Sequence, residues 1–441
     1  MLGKHMDEAR RDAVKALEAV LASDGTIHRI ALIDDLFGRL RAVIWVPEAR
    51  AEEVRTKVDQ ALQREAGLFW TRDVWMAEGA NATERMVYDR AWEESQPVVH
   101  GESRLRVGER HRNRSAWFRA ISAPPWPIGG DAAAPPIVTF YSFKGGVGRT
   151  TALAAFAIQR ARAGERVAVV DMDLDAPGAG ALLAADERGT MAPWGVVDFL
   201  LERAVGQLDL RDYYHACRRE AVTRQGEILV VPAGVLGPED YLNKLARVDL
   251  EPPRPEDPRH PLQLLLEQIN TELQPQWLLL DARAGLSEPA GLLLGGIAHL
   301  SVLFGTSSEQ SWQGLRVILE RIGASRVRED NKQLDCVLVH AMVPEDAKVG
   351  ALARAAFETR ALEEFRSHYY AADPVEPDED RLWYVRDSEA SDAPHVPAAV
   401  SYQPRLAHYE RIDDVADTLA GSAEYQALAE RIQQRFLPTR E

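Results

Sequence analysis

One stretch constrains this chain more than any other: Phe140 to Thr151, reading F-Y-S-F-K-G-G-V-G-R-T-T. A β-branched, apolar run (Ile137–Ser142) precedes it, and a helical pattern (Thr150–Arg162) follows. A glycine cluster between a buried strand and a helix start is the context of a phosphate-binding loop. Gly145, Gly146 and Gly148 let backbone N–H groups converge on an anion with no Cβ in the way, and the following helix adds its positive N-terminal end. Val147 completes the loop, the Thr150 hydroxyl suits a Mg²⁺ ligand, and Thr151 stands within reach of the inner phosphates.

The rest of the chain supports that scaffold. After Pro136, short apolar runs alternate with helical segments, the pattern of a mostly parallel α/β sheet flanked by helices. Strands are predicted at Arg166–Asp171, Glu227–Val231, Trp277–Asp281, His299–Phe304, Leu334–Val339 and Pro397–Tyr402. Helices are predicted at Pro261–Leu273, Gln310–Ile322 and Ser422–Phe436. Residues 121–136 hold five prolines and two glycines and read as a linker. Residues 1–120 read as a small α+β domain, with helices at Asp7–Leu21 and Arg50–Glu65 and a strand at Arg41–Val46. The domain plan is therefore 1–120, a linker at 121–136, and 137–441.

Two carboxylate motifs follow the loop in order. Val169–Gly178 reads V-V-D-M-D-L-D-A-P-G, and Trp277–Gly285 reads W-L-L-L-D-A-R-A-G. Each places aspartates at the end of a buried strand, where a phosphoryl-transfer site needs charge to hold a metal or orient water. Asp175 reads as a turn or solvent-facing residue, and Arg283 as an ion-pair partner or a phosphate sensor.

Together these motifs resemble the MinD/ParA class of P-loop ATPases, whose deviant Walker A loop reads K-G-G-x-G-K-T-T. The resemblance runs from about Pro136 to the C-terminus. It implies Mg-ATP as ligand, bound by Gly145, Gly146, Val147, Gly148, Arg149, Thr150 and Thr151. It further implies that Lys144 reaches the nucleotide of a partner subunit, so that ATP binding and homodimerisation become one event. Asp173 takes the place of the water-orienting aspartate, while Asp171, Asp281 and Thr150 take the metal side. Gly285 would offer its amide to the γ-phosphate. His340, in V-L-V-H-A-M-V-P, stands near the base-reading position, as a base contact or as a structural histidine. Arg149 departs from the family's lysine: it keeps the charge but changes the shape, which puts hydrolysis in question. Proteins resembling this F-x-S-x-K-G-G-V-G-R-T subgroup are placed in bacterial regulatory or defence-type systems. The implied function is an ATP-hydrolysing switch that recruits a partner protein through its N-terminal domain. The alternatives are a nucleotide-binding scaffold with little turnover, or a DNA-partitioning ATPase.

Composition narrows the choice. A net charge of −16 opposes a nucleic-acid coat, for which a basic surface supplies most of the affinity. Arg104, Arg106, Arg110, Arg112, Arg114 and Arg119 form a basic stretch, read as self-contact or solvated. Two cysteines, Cys217 and Cys336, provide no disulfide framework or thiolate cluster, which suits a reducing cytoplasm. No apolar run approaches the ~18–20 residues of a membrane span, and the terminal helix reads as packed on the sheet instead of on lipid. Trp45, Trp70, Trp75, Trp92 and Trp117 precede the linker and read as the core of the first domain or as a partner interface. Asp373–Asp392 reads as an exposed acidic insertion.

Overall fold

In the computed structural model the described residues are 4–98, 101–110, 115–117, 123–128, 134–203, 208–237, 240–250, 259–328, 332–373 and 383–437. The chain divides into two compact units, residues 1–113 and 114–441.

The first unit follows the α+β expectation. Its helices are α1 (Met6–Ser23), α2 (Ala51–Ala66) and α3 (Ala82–Glu93). Its strands are β1 (Arg29–Asp34), β2 (Leu40–Trp45), β3 (Trp70–Met76), β4 (Gln96–Pro97) and β5 (Leu105–Glu109), in the order β3-β2-β1-β5-β4. Strand alternation sorts the side chains by face. Ile30, Leu32, Ala42 and Ile44 face α1 and α2, while Ala31, Ile33, Val43 and Trp45 face Ala91 of α3. On the α3 face the Arg29 guanidinium lies 4.2 Å from the Trp45 ring centroid and 5.0 Å from that of Trp92. Such cation–aromatic packing belongs to a filled core face. Trp70 packs on the opposite face and donates its indole N–H to Asp59 at 2.8 Å. Arg104 and Arg106 are likewise engaged within this unit, by Glu102 and by the Trp92 ring. Arg112, Arg114 and Arg119 lie outside the described residues.

The second unit is an eight-stranded sheet in the order β13-β12-β11-β6-β10-β7-β9-β8. Its strands are β6 (Ile137–Ser142), β7 (Arg166–Met172), β8 (His215–Cys217), β9 (Glu227–Val231), β10 (Trp277–Ala282), β11 (Leu300–Gly305), β12 (Cys336–Val343) and β13 (Ala398–Ser401). All pairings are parallel except β8 with β9. Every residue of β6, β10 and β11 is buried, as a parallel sheet covered on both faces requires. One face packs on the Pro261–Leu273 and Glu309–Ile322 helices. The other packs on α4 (Arg149–Arg162) and on the C-terminal helix Ala423–Gln434, whose Tyr425, Leu428 and Ile432 are buried there. No helix among the described residues is long and apolar enough to cross a membrane.

Chain order in this sheet positions the site. β6 lies between β10 and β11, so the turn leaving β6 opens at the carboxyl ends of the central strands, where α/β sheets bind ligands. Asp281 of β10 is the register partner of Asp171 of β7. Two aspartates distant in sequence thereby stand side by side.

Trp117 belongs to the core of this second unit, not to that of the first. Its indole N–H donates to the Ser287 carbonyl at 2.7 Å, and its ring lies where a Cβ on Gly291 would come within 2.7 Å. The neighbouring Ala116 N–H donates to Glu288 at 2.9 Å. Trp117→Ala should destabilise the second unit by about 3–5 kcal/mol through loss of a large buried ring. Urea unfolding should show this as a lower midpoint of the second unit's transition.

Candidate functional site

The loop from Phe143 to Gly148 turns on two left-handed residues, Gly146 (φ 73°) and Gly148 (φ 85°), the second capping α4. A Cβ built on Gly145, Gly146 or Gly148 meets nothing within 4 Å. The backbone thus borders open space, as a phosphate chain requires. That space is a cavity of about 670 Å³ lined by Gly145–Thr151, Asp173, Arg283 and Ala284, with Met342 and Val400–Gln403 among its remaining walls. The residues present fit a nucleotide polyphosphate.

Charge gathers behind the loop. Arg149 is buried, and its Nε donates to Asp281 Oδ1 at 2.8 Å. Its terminal nitrogen donates to Asp173 Oδ2 at 3.1 Å and lies 3.3 Å from the Thr150 hydroxyl oxygen. The Thr150 hydroxyl donates in turn to Asp281 Oδ2 at 2.8 Å. Breaking one arm of such a buried pair leaves an uncompensated charge, at about 3–5 kcal/mol. Burial and the neighbouring Asp281 push the Asp171 carboxyl up, to about 7. Burial likewise raises Asp281, against the pull of Arg149.

Several expectations change here. Asp171 does not face the cavity. One of its oxygens accepts the Asp173 N–H, and the other accepts those of Gly178, Ala179 and Gly180 at 3.0–3.3 Å. Its work is to hold the loop after β7. The Gly285 amide is donated to the Ser142 carbonyl at 3.1 Å, and Ala284 lines the cavity in its place. Thr150 and Asp281 do stand together, but both are engaged by Arg149 and by each other. A divalent cation does not fit these carboxylates as they are arranged. Among the described residues, no group of three or more His, Cys, Asp or Glu side chains is placed to hold a metal ion. Arg283 resolves as an ion-pair partner of Asp175 and lines the cavity as well. Lys144 is exposed on the loop.

His340 is a structural histidine. Strand alternation turns its ring away from the cavity onto Phe357, stacked at 4.0 Å between centroids and 6° between planes, with Nε2 at 3.1 Å from the Ser307 hydroxyl. The cavity is walled instead by Met342, Val400, Tyr402 and Leu406 among others. Met342 lies near the end of β12, where the register shifts, in a left-handed conformation (φ 59°), which no spacing in the sequence announces. Gly314 was also silent. A Cβ there would meet the Phe143 ring at 1.9 Å, so the Glu309–Ile322 helix seats the phosphate loop through this glycine. A lone glycine inside a helical pattern was the available signal.

Residues 138–356 match the model described as the CobQ/CobB/MinD/ParA nucleotide binding domain. The second unit is a MinD/ParA-type P-loop domain. No curated protein matches the chain. Among solved structures, the cell division ATPase MinD of Pyrococcus furiosus is 16% identical, covering 68% of this chain and 98% of its own at a TM-score of 0.40. A putative plasmid partition protein of Borrelia burgdorferi B31, bound to AMPPNP, is 14% identical over 68% and 99% at a TM-score of 0.42. The septum site-determining protein MinD of Pyrococcus horikoshii OT3, complexed with Mg-ADP, is 14% identical over 68% and 95% at a TM-score of 0.41.

Gly314→Ala should push Phe143 off its seat and weaken nucleotide binding at least about tenfold, or ~1.4 kcal/mol. Phe143→Leu in the same chain should restore much of the loss, read by titration with a fluorescent nucleotide. His340 gives a pH signature. Burial lowers its imidazole to about 4, against 6.5 for the ordinary side chain. Its neutral form is favoured in the fold, so its contribution is complete above about 6.5 and is lost as pH falls toward 4. His340→Phe should therefore move the acid-unfolding midpoint to lower pH.

Proposed function

We propose that this protein is an ATP-binding switch that hydrolyses its nucleotide slowly and pairs with a second copy in the ATP-bound form. The observation that carries the reading is the open glycine cradle at the end of β6, with Asp173 on the cavity wall and Arg149 behind it. The loop amides hold the polyphosphate, and the N-terminus of α4 adds its partial positive charge. Asp173, pinned through one oxygen by Arg149 and through the other by the Ala176 N–H at 3.2 Å, presents a fixed carboxylate toward an attacking water. Positioning of that kind supplies most of what phosphoryl transfer asks of a protein.

Lys144 is exposed while the loop around it lines the cavity, an arrangement that suits a contact with the nucleotide of a second copy. The first unit has its own sheet and core and serves as the output module that docks a partner protein. A bacterial cytoplasmic setting, in regulation or defence, agrees with this plan. A DNA-partitioning role finds less support. The net charge is −16, and of the three described arginines of the basic stretch Arg104 and Arg106 are engaged within the first unit by Glu102 and the Trp92 ring, while Arg110 is exposed.

A second reading is favoured by one observation. Arg149 is tied to both Asp281 and Asp173, so the residue that stands where the family carries its phosphate lysine is already committed. A nucleotide-binding scaffold with very low turnover follows from that arrangement, and Arg149→Lys should then raise turnover sharply.

Light scattering with ATP, with ADP and without nucleotide tests the switch. The expected result is a monomer that doubles its mass only with ATP. Asp173→Ala should prolong the dimer, and Lys144→Ala should abolish it while leaving nucleotide binding within about threefold, or ~0.65 kcal/mol. A mass indifferent to nucleotide defeats the proposal.

A further inference from the structure

The carboxylates at the ends of β7 and β10 are already supplied with donors by the chain itself. Asp281 accepts from Arg149 Nε at 2.8 Å on one oxygen and from the Thr150 hydroxyl at 2.8 Å on the other. Asp173 accepts from the Arg149 terminal nitrogen at 3.1 Å and from the Ala176 N–H at 3.2 Å. Asp171 is consumed by four backbone N–H groups. Each of the six carboxylate oxygens thus has a partner within the protein.

Arginine is what makes this closure feasible. A guanidinium presents nitrogens in a rigid fork and serves two acceptors in different directions, and it is more weakly hydrated than an ammonium. Here Nε and a terminal nitrogen reach two different carboxylates from a side chain that is only 9% exposed. Mg²⁺ demands near-octahedral oxygens at about 2.0–2.1 Å, and a guanidinium already held between Asp281 and Asp173, with a terminal nitrogen 3.3 Å from the Thr150 hydroxyl, opposes a second cation there by its charge and by the space it fills. The glycine cradle makes no such demand, because its binding groups are backbone amides facing open space.

We infer that this site takes its nucleotide without a divalent cation, with Arg149 as the resident counter-charge that holds Asp281 and Asp173 in place. The inference rests on the nucleotide-binding reading above and specifies the form of the ligand: free polyphosphate in place of its magnesium complex. Arg149 is a positioning residue in this scheme. It acts on the phosphates through the two aspartates that it neutralises. A lysine at this position has one nitrogen, cannot span both carboxylates with the same geometry, and leaves Asp281 open to a cation.

Titration with a fluorescent ATP analogue, in Mg²⁺ and again in EDTA, tests this on the full chain. The wild-type Kd should change by less than about threefold between the buffers, and that of Arg149→Lys should weaken more than about tenfold in EDTA. Uptake of Mn²⁺ without nucleotide, followed by electron paramagnetic resonance, supplies a second readout. The wild type should take up none at this site, and Arg149→Gln, which frees both carboxylates, should bind it. The wild-type comparison needs no variant, so misfolding of a substituted chain does not blunt it. Wild-type binding that depends on Mg²⁺ as strongly as that of the lysine variant overturns the inference and leaves the nucleotide site standing. Failure to bind the analogue in either buffer overturns the nucleotide reading and this inference with it.

Discussion

Arg149 is a buried cation that bridges Asp281 and Asp173 in the second unit, and the arrangement of the site depends on it. Its Nε and terminal nitrogen tie Asp281 at the end of β10 to Asp173 just beyond β7. Parallel pairing sets Asp171 and Asp281 side by side, and burial raises both carboxyls, with the neighbouring Asp281 adding to the rise at Asp171 and Asp173 to that at Asp281. Like charges in a water-poor interior repel strongly. Without the guanidinium, the two strands would carry an unneutralised cluster at the point where the sheet must open to a ligand. The bridge therefore serves packing and chemistry together, since the group that makes the sheet end tolerable also orients Asp173.

The segments on either side of this bridge are held to one another by further contacts. Phe143 of the loop sits on Gly314, Ser142 receives the Gly285 amide, and the Tyr141 hydroxyl donates to the Gly285 carbonyl at 3.1 Å. The segment after β10 continues to Ser287 and Glu288, where Trp117 and Ala116 are anchored. The phosphate loop, the second carboxylate loop and the residues leading into β6 thus form one connected hydrogen-bonded and packed system.

Much of the fold was legible because its signals are local. Buried parallel strands read as continuous apolar runs, and β6, β9 and the Pro261–Leu273 helix fall on their expected residues, with most of the other expected elements within two residues. The glycine pattern of the loop was equally readable, since left-handed backbone at Gly146 and Gly148 is a property of residue type. Trp117 misled because proximity in sequence suggested the first unit, whereas its ring fills a hole over Gly291 in the second. His340 stood open between a base contact and a structural histidine, because its direction is set by strand alternation around β12, which turns the ring toward Phe357.

By itself the sequence determined the scaffold and the inventory of the site: a glycine loop between strand and helix, aspartates ending two buried strands, and an arginine in place of lysine. These follow from residue chemistry and from spacings of a few positions. Tertiary structure alone decided how the inventory is spent. It placed Asp281 beside Asp171, tied Arg149 to two carboxylates, turned Asp171 to the backbone of 178–180, and brought Met342, Val400–Gln403, Leu406 and Ala407 to the wall of the cavity. The physical reason is that hydrogen bonds and ion pairs are settled among groups brought together by sheet order, and sheet order joins residues more than a hundred positions apart.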